Sequence, residues 1–432
     1  MKPVITFLLF TFSSILLYAQ SNNKLKLNFD ESGNSYIKAN IASQLWLRYA
    51  EMNPGTTIND AEIKNTYEVS MRRLRIGISA QLTPKLLIVS SFGGNNLNYN
   101  TDKTFQFKVL DLYAEYKFSD AIKVGIGKSG HQGLSRVDSR SFKSLLTLDA
   151  PIFSLSTVNK IDDEARNLGL FAKGQIGKVD YRFAIQNPDN YKAELKTNET
   201  DFAKKKPEIK WTGYLKYQFL EKEGNNSAYH TSTYLGSKKV LNLGVGFTHL
   251  PKATYYLPKE NVSDMEYYDL NHWAVDLFYD TPINKENNEA ITSYLSYISY
   301  NFGKDYIRNV GANNPATGVN QNTSFNGKGN AFPMMGTGNT LFFQMGYLMS
   351  NTLLGTNKGQ LQPNISIQYS DFDKLDDPML VYDFGINWYF SGHNNKLSLG
   401  FQNRPIFNTV TNEIVVTERK NMAVLQYQMN IN

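Results

Sequence analysis

Basic side chains stand at spacings that suit them to bind anions. Arg73 and Arg75 are two residues apart, so both lie on one face of an extended strand. Arg48 lies on the corresponding polar face of the preceding segment with alternating polar and apolar residues. A guanidinium group stays charged and donates paired hydrogen bonds to phosphate or carboxylate oxygens. Three such groups facing one enclosed space would make it attractive to anions. Ordinary charge balance is the alternative, and the acidic residues that could provide it are Asp111, Glu115 and Asp276.

Further basic residues lie in the long segment 129–165, which contains Arg136, Arg140 and Lys143. A connection of this length without regular structure of its own usually has a function in a compact protein. If the segment folds inward, its basic part would lie at the narrowest point of the enclosed space. A solvated surface loop is the alternative.

The sequence offers little for other chemistry. It contains 0 cysteines, which excludes disulfides, thiolate metal sites and a cysteine nucleophile. The 5 histidines lack metal-ligand spacing, and the acidic run 371–377 lacks the glycine and the distant glutamate of a calcium-binding loop. Basic residues are not clustered with aromatic ones as nucleic-acid binding requires. We therefore expect no enzymatic activity, no cofactor, no metal and no nucleic-acid partner, while Tyr113 and Tyr214 leave stacking on sugars as an open alternative.

Segments with period-two patterning must position these residues. From Ile37 to Tyr49, apolar side chains alternate with polar ones such as Lys38, Asn40 and Gln44. Similar alternation recurs to the end of the chain and predicts sixteen strands. The expected ranges are 36–50, 69–83, 85–93, 104–118, 121–128, 166–176, 178–187, 209–219, 239–250, 268–280, 290–302, 338–350, 360–370, 378–390, 395–405 and 420–431.

The connections between these segments alternate in length. Pro84, Gly177 and residues 392–394 mark short turns, long links lie between them, and segment 220–238 is a long exception on the short side. Short turns at one end and long loops at the other are typical of a transmembrane barrel. A soluble β-sandwich or propeller also alternates, but its packed core could not hold the charges of the polar face at low cost. A water-filled lumen could hold them, so we predict an all-β chain that forms a sixteen-stranded antiparallel barrel.

The apolar face of the predicted strands is rich in Leu, Ile, Tyr, Phe and Trp, as a lipid-facing band would be. Arg72 has the parity of this outward face. We therefore expect the Arg72 side chain to extend to the lipid interface or to a neighbouring subunit.

The beginning of the chain differs from the rest. Lys2 is its only charge, and an apolar run from Val4 to Tyr18 is followed by Ala19. This pattern is typical of a secretory signal peptide that is cleaved after Ala19, and an anchor helix is the alternative. The expected division is a signal peptide at 1–19, a periplasmic N-terminal segment at 20–35 and a transmembrane β-barrel at 36–432.

Four segments carry a family resemblance. Residues 72–77 read RRLRIG, 109–128 read VLDLYAEYKFSDAIKVGIGK, 166–174 read RNLGLFAKG, and 385–402 read GINWYFSGHNNKLSLGFQ. Together they resemble the phosphate-selective porin O and P family of Gram-negative outer membranes. The chain departs from that family at residues 130–131, where Gly-His replaces Pro-Phe, and at Asn432, where an aromatic residue is usual.

The resemblance implies a trimeric barrel in the outer membrane, with a ladder of arginines and a lysine-bearing constriction in the lumen. Arg72 and Arg73 match the family's double arginine, and Arg48 has a comparable inward place. The implied function is a porin that passes small hydrophilic solutes passively and prefers anions such as phosphate. Two alternatives stay open: a structural barrel that docks a protein partner through its long external loops, and a sugar-type porin.

Overall fold

A computed structural model describes residues 25–98, 106–131, 133–189, 196–202, 208–258 and 265–432. The predicted signal peptide lies outside these residues, and the division at residues 20 and 36 stays a prediction. In the described chain, sixteen long strands pair in sequence order, and the last pairs with the first, with Ile41 opposite Ile431. The predicted closed, sixteen-stranded antiparallel barrel is therefore confirmed.

The sixteen barrel strands lie at or near the predicted ranges. They are β1 Tyr36–Glu51, β2 Asn65–Gln81, β3 Leu86–Leu97, β4 Lys108–Lys117, β5 Lys123–Ser129, β6 Asn167–Ile176, β7 Val179–Asn187, β8 Lys210–Gln218, β9 Val240–Tyr256, β10 Glu266–Asn284, β11 Glu289–Asn301, β12 Gly338–Leu348, β13 Gln360–Phe372, β14 Met379–Ser391, β15 Asn395–Val410 and β16 Glu413–Ile431. Several strands extend beyond their predicted ranges, because polar strand ends carry no clear alternation.

Period-two patterning separates two environments on every long strand. On β10, Asp276 and Asp280 are buried in the barrel, whereas Trp273, Val275 and Leu277 are exposed on its outside. Successive side chains of a strand point to opposite faces, so polar residues collect inside and apolar residues outside. An apolar exterior around a polar interior is the arrangement that a barrel needs in lipid.

The two ends of the barrel differ. Links 82–85, 118–122 and 177–178 are short hairpin turns at one end, which we call the basal rim. Both described ends of the chain lie here, because the Leu25 N–H donates to the Asn432 carbonyl over 3.2 Å. Most links at the other end, the distal end, are long, although 411–412 is short. The basal link 219–239 is long, as the sequence indicated.

Short elements connect the barrel to its loops. Lys26–Asn28 pairs with β1 and Thr200–Phe202 pairs with β9. Two distal links join each other, because Gly318–Val319 pairs with Thr56–Ile58. Among the described residues, no helix has the length and apolar character to cross a membrane.

The outward face of β10 gives a stability prediction. Leu277 lies near the middle of the strand and is 41% exposed on the outside. Leu277→Arg should lower the free energy of unfolding in lipid vesicles by about 2–4 kcal/mol, because an arginine would face the hydrocarbon midplane. Urea titration of the reconstituted barrel measures this. Tyr267→Arg, close to the distal end of the same outward face, is the control and should cost about 0–1 kcal/mol. Equal losses in the two variants would contradict a lipid-facing exterior.

Candidate functional site

A β-bulge places both residues of the double arginine inside the barrel. Gln44 pairs with Arg73, but the next residue, Leu45, pairs with Met71, so Arg72 is the extra residue on β2. A bulge sets two residues against one and interrupts the alternation of faces. Arg72 and Arg73 are both buried. The expectation that Arg72 faces lipid or a neighbouring subunit was therefore wrong, since simple parity does not allow for the bulge.

The paired arginines hold an acidic residue of the connection between β5 and β6. Arg72 Nε donates to Asp149 Oδ2 over 2.9 Å, and Arg73 Nη1 lies 2.6 Å from Asp149 Oδ1. Burial alone would raise the pKa of Asp149, but the two guanidinium groups lower it below its ordinary value. The double arginine is thus an internal clamp on this connection.

Residues 130–166, which we call the distal insert, cross the lumen from one wall to the other. Inward side chains of several strands donate hydrogen bonds to its backbone carbonyls. These pairs are Gln428 to Lys143, Lys396 to Leu145, Asn387 to Leu146 and Tyr300 to Phe153. The predicted inward fold of segment 129–165 is confirmed by these contacts.

A second segment enters from the basal end, which the sequence did not indicate. Residues 219–239, the basal insert, meet the distal insert inside the barrel. The His230 N–H donates to the Ser139 carbonyl over 2.6 Å, and the Ser141 N–H donates to the His230 carbonyl over 2.7 Å. Arg136 forms two hydrogen bonds of 2.8 and 2.5 Å with Glu223. The two inserts therefore form one continuous body within the lumen.

A cavity of about 1180 Å³ remains beside this body. Its wall is formed mainly by inward residues of β1–β4, and its other side by the two inserts and link 302–337. Lys38 lines it near the basal end and Asn95 near the distal end. The open space therefore follows one wall over most of the barrel's height and lies off the barrel axis.

Four of the six candidate site residues line this cavity: Arg73, Arg75, Arg140 and Lys143. Arg75 donates to the carbonyls of Leu74 and Gly94, each over 2.8 Å, and to Asn95 Oδ1 over 2.6 Å. Within the described chain Arg75 forms no ion pair with a carboxylate. Its positive charge is hydrogen-bonded but not neutralised, as a site for anions requires.

Arg140 and Lys143 of the distal insert have the same character. Arg140 donates to the Val137 carbonyl over 2.6 Å and to Ser154 Oγ over 3.0 Å. Lys143 Nζ donates to Asn40 Oδ1 over 2.8 Å. Each partner is a neutral oxygen. Burial, aided by Lys38, lowers the pKa of Lys143 to about 8.

Arg48 and Arg136 do not line the cavity. Arg48 faces inward as predicted, but it forms an ion pair with Glu68 and donates to the carbonyls of Ala312 and Asn313 over 2.8 and 2.6 Å. Its contacts fasten link 302–337 to the wall. Arg136 is enclosed between Glu223 and the ring of Phe278, whose centroid lies 3.5 Å from the guanidinium carbon. Anion binding by Arg48 and Arg136 stays a prediction, and their absence from the cavity lining gives it no support.

The expected acidic counter-charges have other partners. Asp111 pairs with Arg166, Glu115 pairs with Lys173, and Asp276 accepts hydrogen bonds from Tyr214 and Tyr294. The acids that neutralise the candidate arginines are Asp149, Glu68 and Glu223 instead. Sequence reasoning missed Asp149 and Glu223 because each acts on a residue of a distant segment. It missed Glu68 because this residue lies just before the predicted strand 69–83, although it is directly opposite Arg48 on the neighbouring strand. Among the described residues, no group of acidic or histidine side chains could hold a metal ion.

Comparison with known proteins gives the fold alone. No protein-family model matches the chain, and no curated protein matches it. The outer-membrane channel DcaP of Acinetobacter baumannii is similar in structure, with a TM-score of 0.52 and 10% identity over 93% of this chain and 99% of that chain. An anion-selective porin from Comamonas acidovorans has a TM-score of 0.49 and 10% identity over 92% and 99%. The likeness to DcaP supports a shared barrel fold.

The clamp on Asp149 gives a second prediction. Asp149→Asn keeps the side-chain size but leaves two buried guanidinium groups without their counter-charge. Breaking a buried ion pair from one side costs about 3–5 kcal/mol, so the free energy of unfolding should fall by that amount. Urea titration in lipid vesicles at neutral pH measures the loss. Asp120→Asn, which removes an exposed pair with Lys117, is the control and should leave stability unchanged.

Proposed function

We propose that the chain is an outer-membrane channel of a Gram-negative bacterium that passes small hydrophilic solutes by diffusion and prefers anions. One observation carries the proposal: Arg75, Arg140 and Lys143 line the luminal cavity with no carboxylate paired to them in the described chain. The apolar exterior supports a location in lipid. Solute moves down its concentration gradient, with no reaction and no cofactor.

The anion preference follows from charge in a confined space. A pair of unit charges 4 Å apart interacts by about 1 kcal/mol in water and about 4 kcal/mol at an effective dielectric constant of 20. The cavity lies between these limits, because protein surrounds its water. Several unneutralised cations that line such a path favour anions and focus the field along it. Asp111 and Glu164 also line the cavity, so we expect a moderate preference rather than a strict filter.

Phosphate is the finer proposal, and the resemblance to the phosphate-selective porin O and P family supports it. Arginine binds phosphate through two parallel hydrogen bonds, which chloride cannot form. Arg75 and Arg140 are the groups on which we expect a phosphate ion to lie. A homotrimer is the assembly that the same resemblance implies, and the mass of the complex in mild detergent tests it.

A barrel that docks a protein partner is the second candidate. It requires the long distal links to be available outside, but the distal insert lies within the lumen and link 302–337 is fastened by Arg48. A sugar-type porin has less support, because Tyr113 lines the cavity whereas Tyr214 does not. Single-channel recording separates a channel from a docking barrel, since a filled scaffold conducts no current.

Charge reversal in the cavity tests the proposed function. Arg75→Glu combined with Arg140→Glu should move the reversal potential in a KCl gradient toward cation preference and weaken block of the chloride current by phosphate. Lys252→Glu combined with Lys304→Glu makes the same change in net charge at exposed positions outside the cavity lining. This control should keep the selectivity of the unmodified chain. Unchanged selectivity in the cavity variant would exclude these residues as the anion site.

The selectivity should also depend on pH. Lys143 has a pKa lowered to about 8, so it loses its positive charge as the pH rises through that value. Burial raises the pKa of Asp138, which also lines the cavity, to about 7, so it gains negative charge over a similar range. Both changes make the cavity less positive, and the anion preference should therefore fall between about pH 6 and pH 9.

Reversal potentials recorded at several pH values measure this change. Lys143→Met combined with Asp138→Asn removes these two groups and should give a nearly constant preference between about pH 6 and pH 8. A profile that keeps its slope in this variant would assign the pH dependence to other groups.

A further inference from the structure

Lysines are distributed around the basal rim. The seven basal links 82–85, 118–122, 177–178, 219–239, 285–288, 349–359 and 392–394 contain seven lysines and four acidic residues, and one of the four, Glu223, is buried in the lumen. The exposed lysines include Lys85, Lys178, Lys285 and Lys358, which lie on four separate links. None of these four pairs with a carboxylate in the described chain. The basal rim therefore carries lysines on several separate links whose positive charge is not neutralised by a paired carboxylate.

Each of these lysines follows an exposed apolar residue within five positions of the chain. Leu82 precedes Lys85, Ile176 precedes Lys178, Ile283 precedes Lys285 and Leu353 precedes Lys358, and the four apolar side chains are 42%, 63%, 58% and 53% exposed. An apolar side chain followed by a lysine is suited to the boundary between acyl chains and headgroups. There the apolar side chain and the methylene chain of the lysine lie in lipid, while the lysine's ammonium group reaches water. The combination recurs on four of the seven basal links.

The distal end has a different charge. Link 373–378 contains three aspartates and one lysine. Several exposed distal lysines have acidic partners, such as Lys252 with Glu208 and Lys196 with Glu199. In the described part of the distal links acidic residues outnumber lysines, whereas in the basal links lysines outnumber acidic residues.

We propose that the basal rim binds the phosphate groups of anionic phospholipids in the leaflet that surrounds it. This inference rests on the location in lipid that is part of the proposed function, but it does not depend on channel activity. Each exposed lysine near an anionic surface strengthens the attraction by about fivefold in affinity. Four or more lysines around one rim therefore distinguish an anionic leaflet from a zwitterionic one. A soluble acidic polymer would not need the neighbouring apolar side chains.

Native mass spectrometry of lipid-bound protein tests the proposal. The full chain is reconstituted in vesicles of equal parts phosphatidylglycerol and phosphatidylcholine and then extracted, and the retained lipids are counted. We expect phosphatidylglycerol to exceed phosphatidylcholine by at least about tenfold at low salt. A variant with Lys85, Lys178, Lys285 and Lys358 each changed to Gln should reduce this ratio to near one. High salt should have the same effect, because it screens the exposed charges.

A matched control changes the same number of lysines at the distal end. It carries Lys64→Gln, Lys252→Gln, Lys304→Gln and Lys328→Gln and should retain phosphatidylglycerol like the unmodified chain. Equal retention by the basal and distal variants would overturn the proposal. Loss of sedimentation with purified peptidoglycan in the basal variant, with lipid retention unchanged, would also overturn it and identify an acidic polymer as the partner. Failure of the unmodified chain to enter either lipid would instead contradict the location in lipid.

Discussion

Every second residue of a membrane barrel faces the lumen, and each charge placed there must find a partner or water. Arg48, Arg72 and Arg73 project into the interior from only two strands. A buried charge without compensation is costly, so the lumen cannot hold these groups as isolated side chains. The inserts and distal links provide the compensation, with Asp149 on the double arginine and backbone carbonyls on Arg48. The internal structure of this barrel is thus a consequence of charge on its walls.

Compensation is uneven around the barrel, and this unevenness produces the cavity. On the side of β7 and β8, Arg182 donates to the Ala228 carbonyl and Lys216 pairs with Glu223, so the basal insert occupies the space. Along β1–β4, Arg75 donates hydrogen bonds only to neutral groups and lines the open cavity. The same physical requirement therefore closes one part of the lumen and leaves the other open. The open part also retains the cations that no carboxylate neutralises. Uneven charge compensation therefore determines both the shape of the cavity and its positive potential.

Period-two patterning predicted all sixteen strands, because alternation is local and each residue's face depends only on its neighbours. The inward fold of segment 129–165 was also predictable from its length. The orientation of Arg72 was not, since a bulge shows itself only when β1 and β2 are aligned. The roles of Asp149 and Glu223 were equally hidden, because each acts on a residue more than seventy positions away. Local pattern thus specified the wall, whereas long-range contacts specified what fills it.

The bulge at Arg72 also affects how the gene can change in length. Removing one codon elsewhere in β2 would exchange the faces of all residues on one side of the deletion, sending arginines toward lipid. Removing Arg72 itself would restore regular alternation, because Met71 already faces outward and Arg73 inward on either side of it. The bulge is therefore the position in β2 where the loss of one residue keeps every other side chain of the strand on its face, at the cost of one contact to Asp149. We expect natural length variation in β2 to concentrate there.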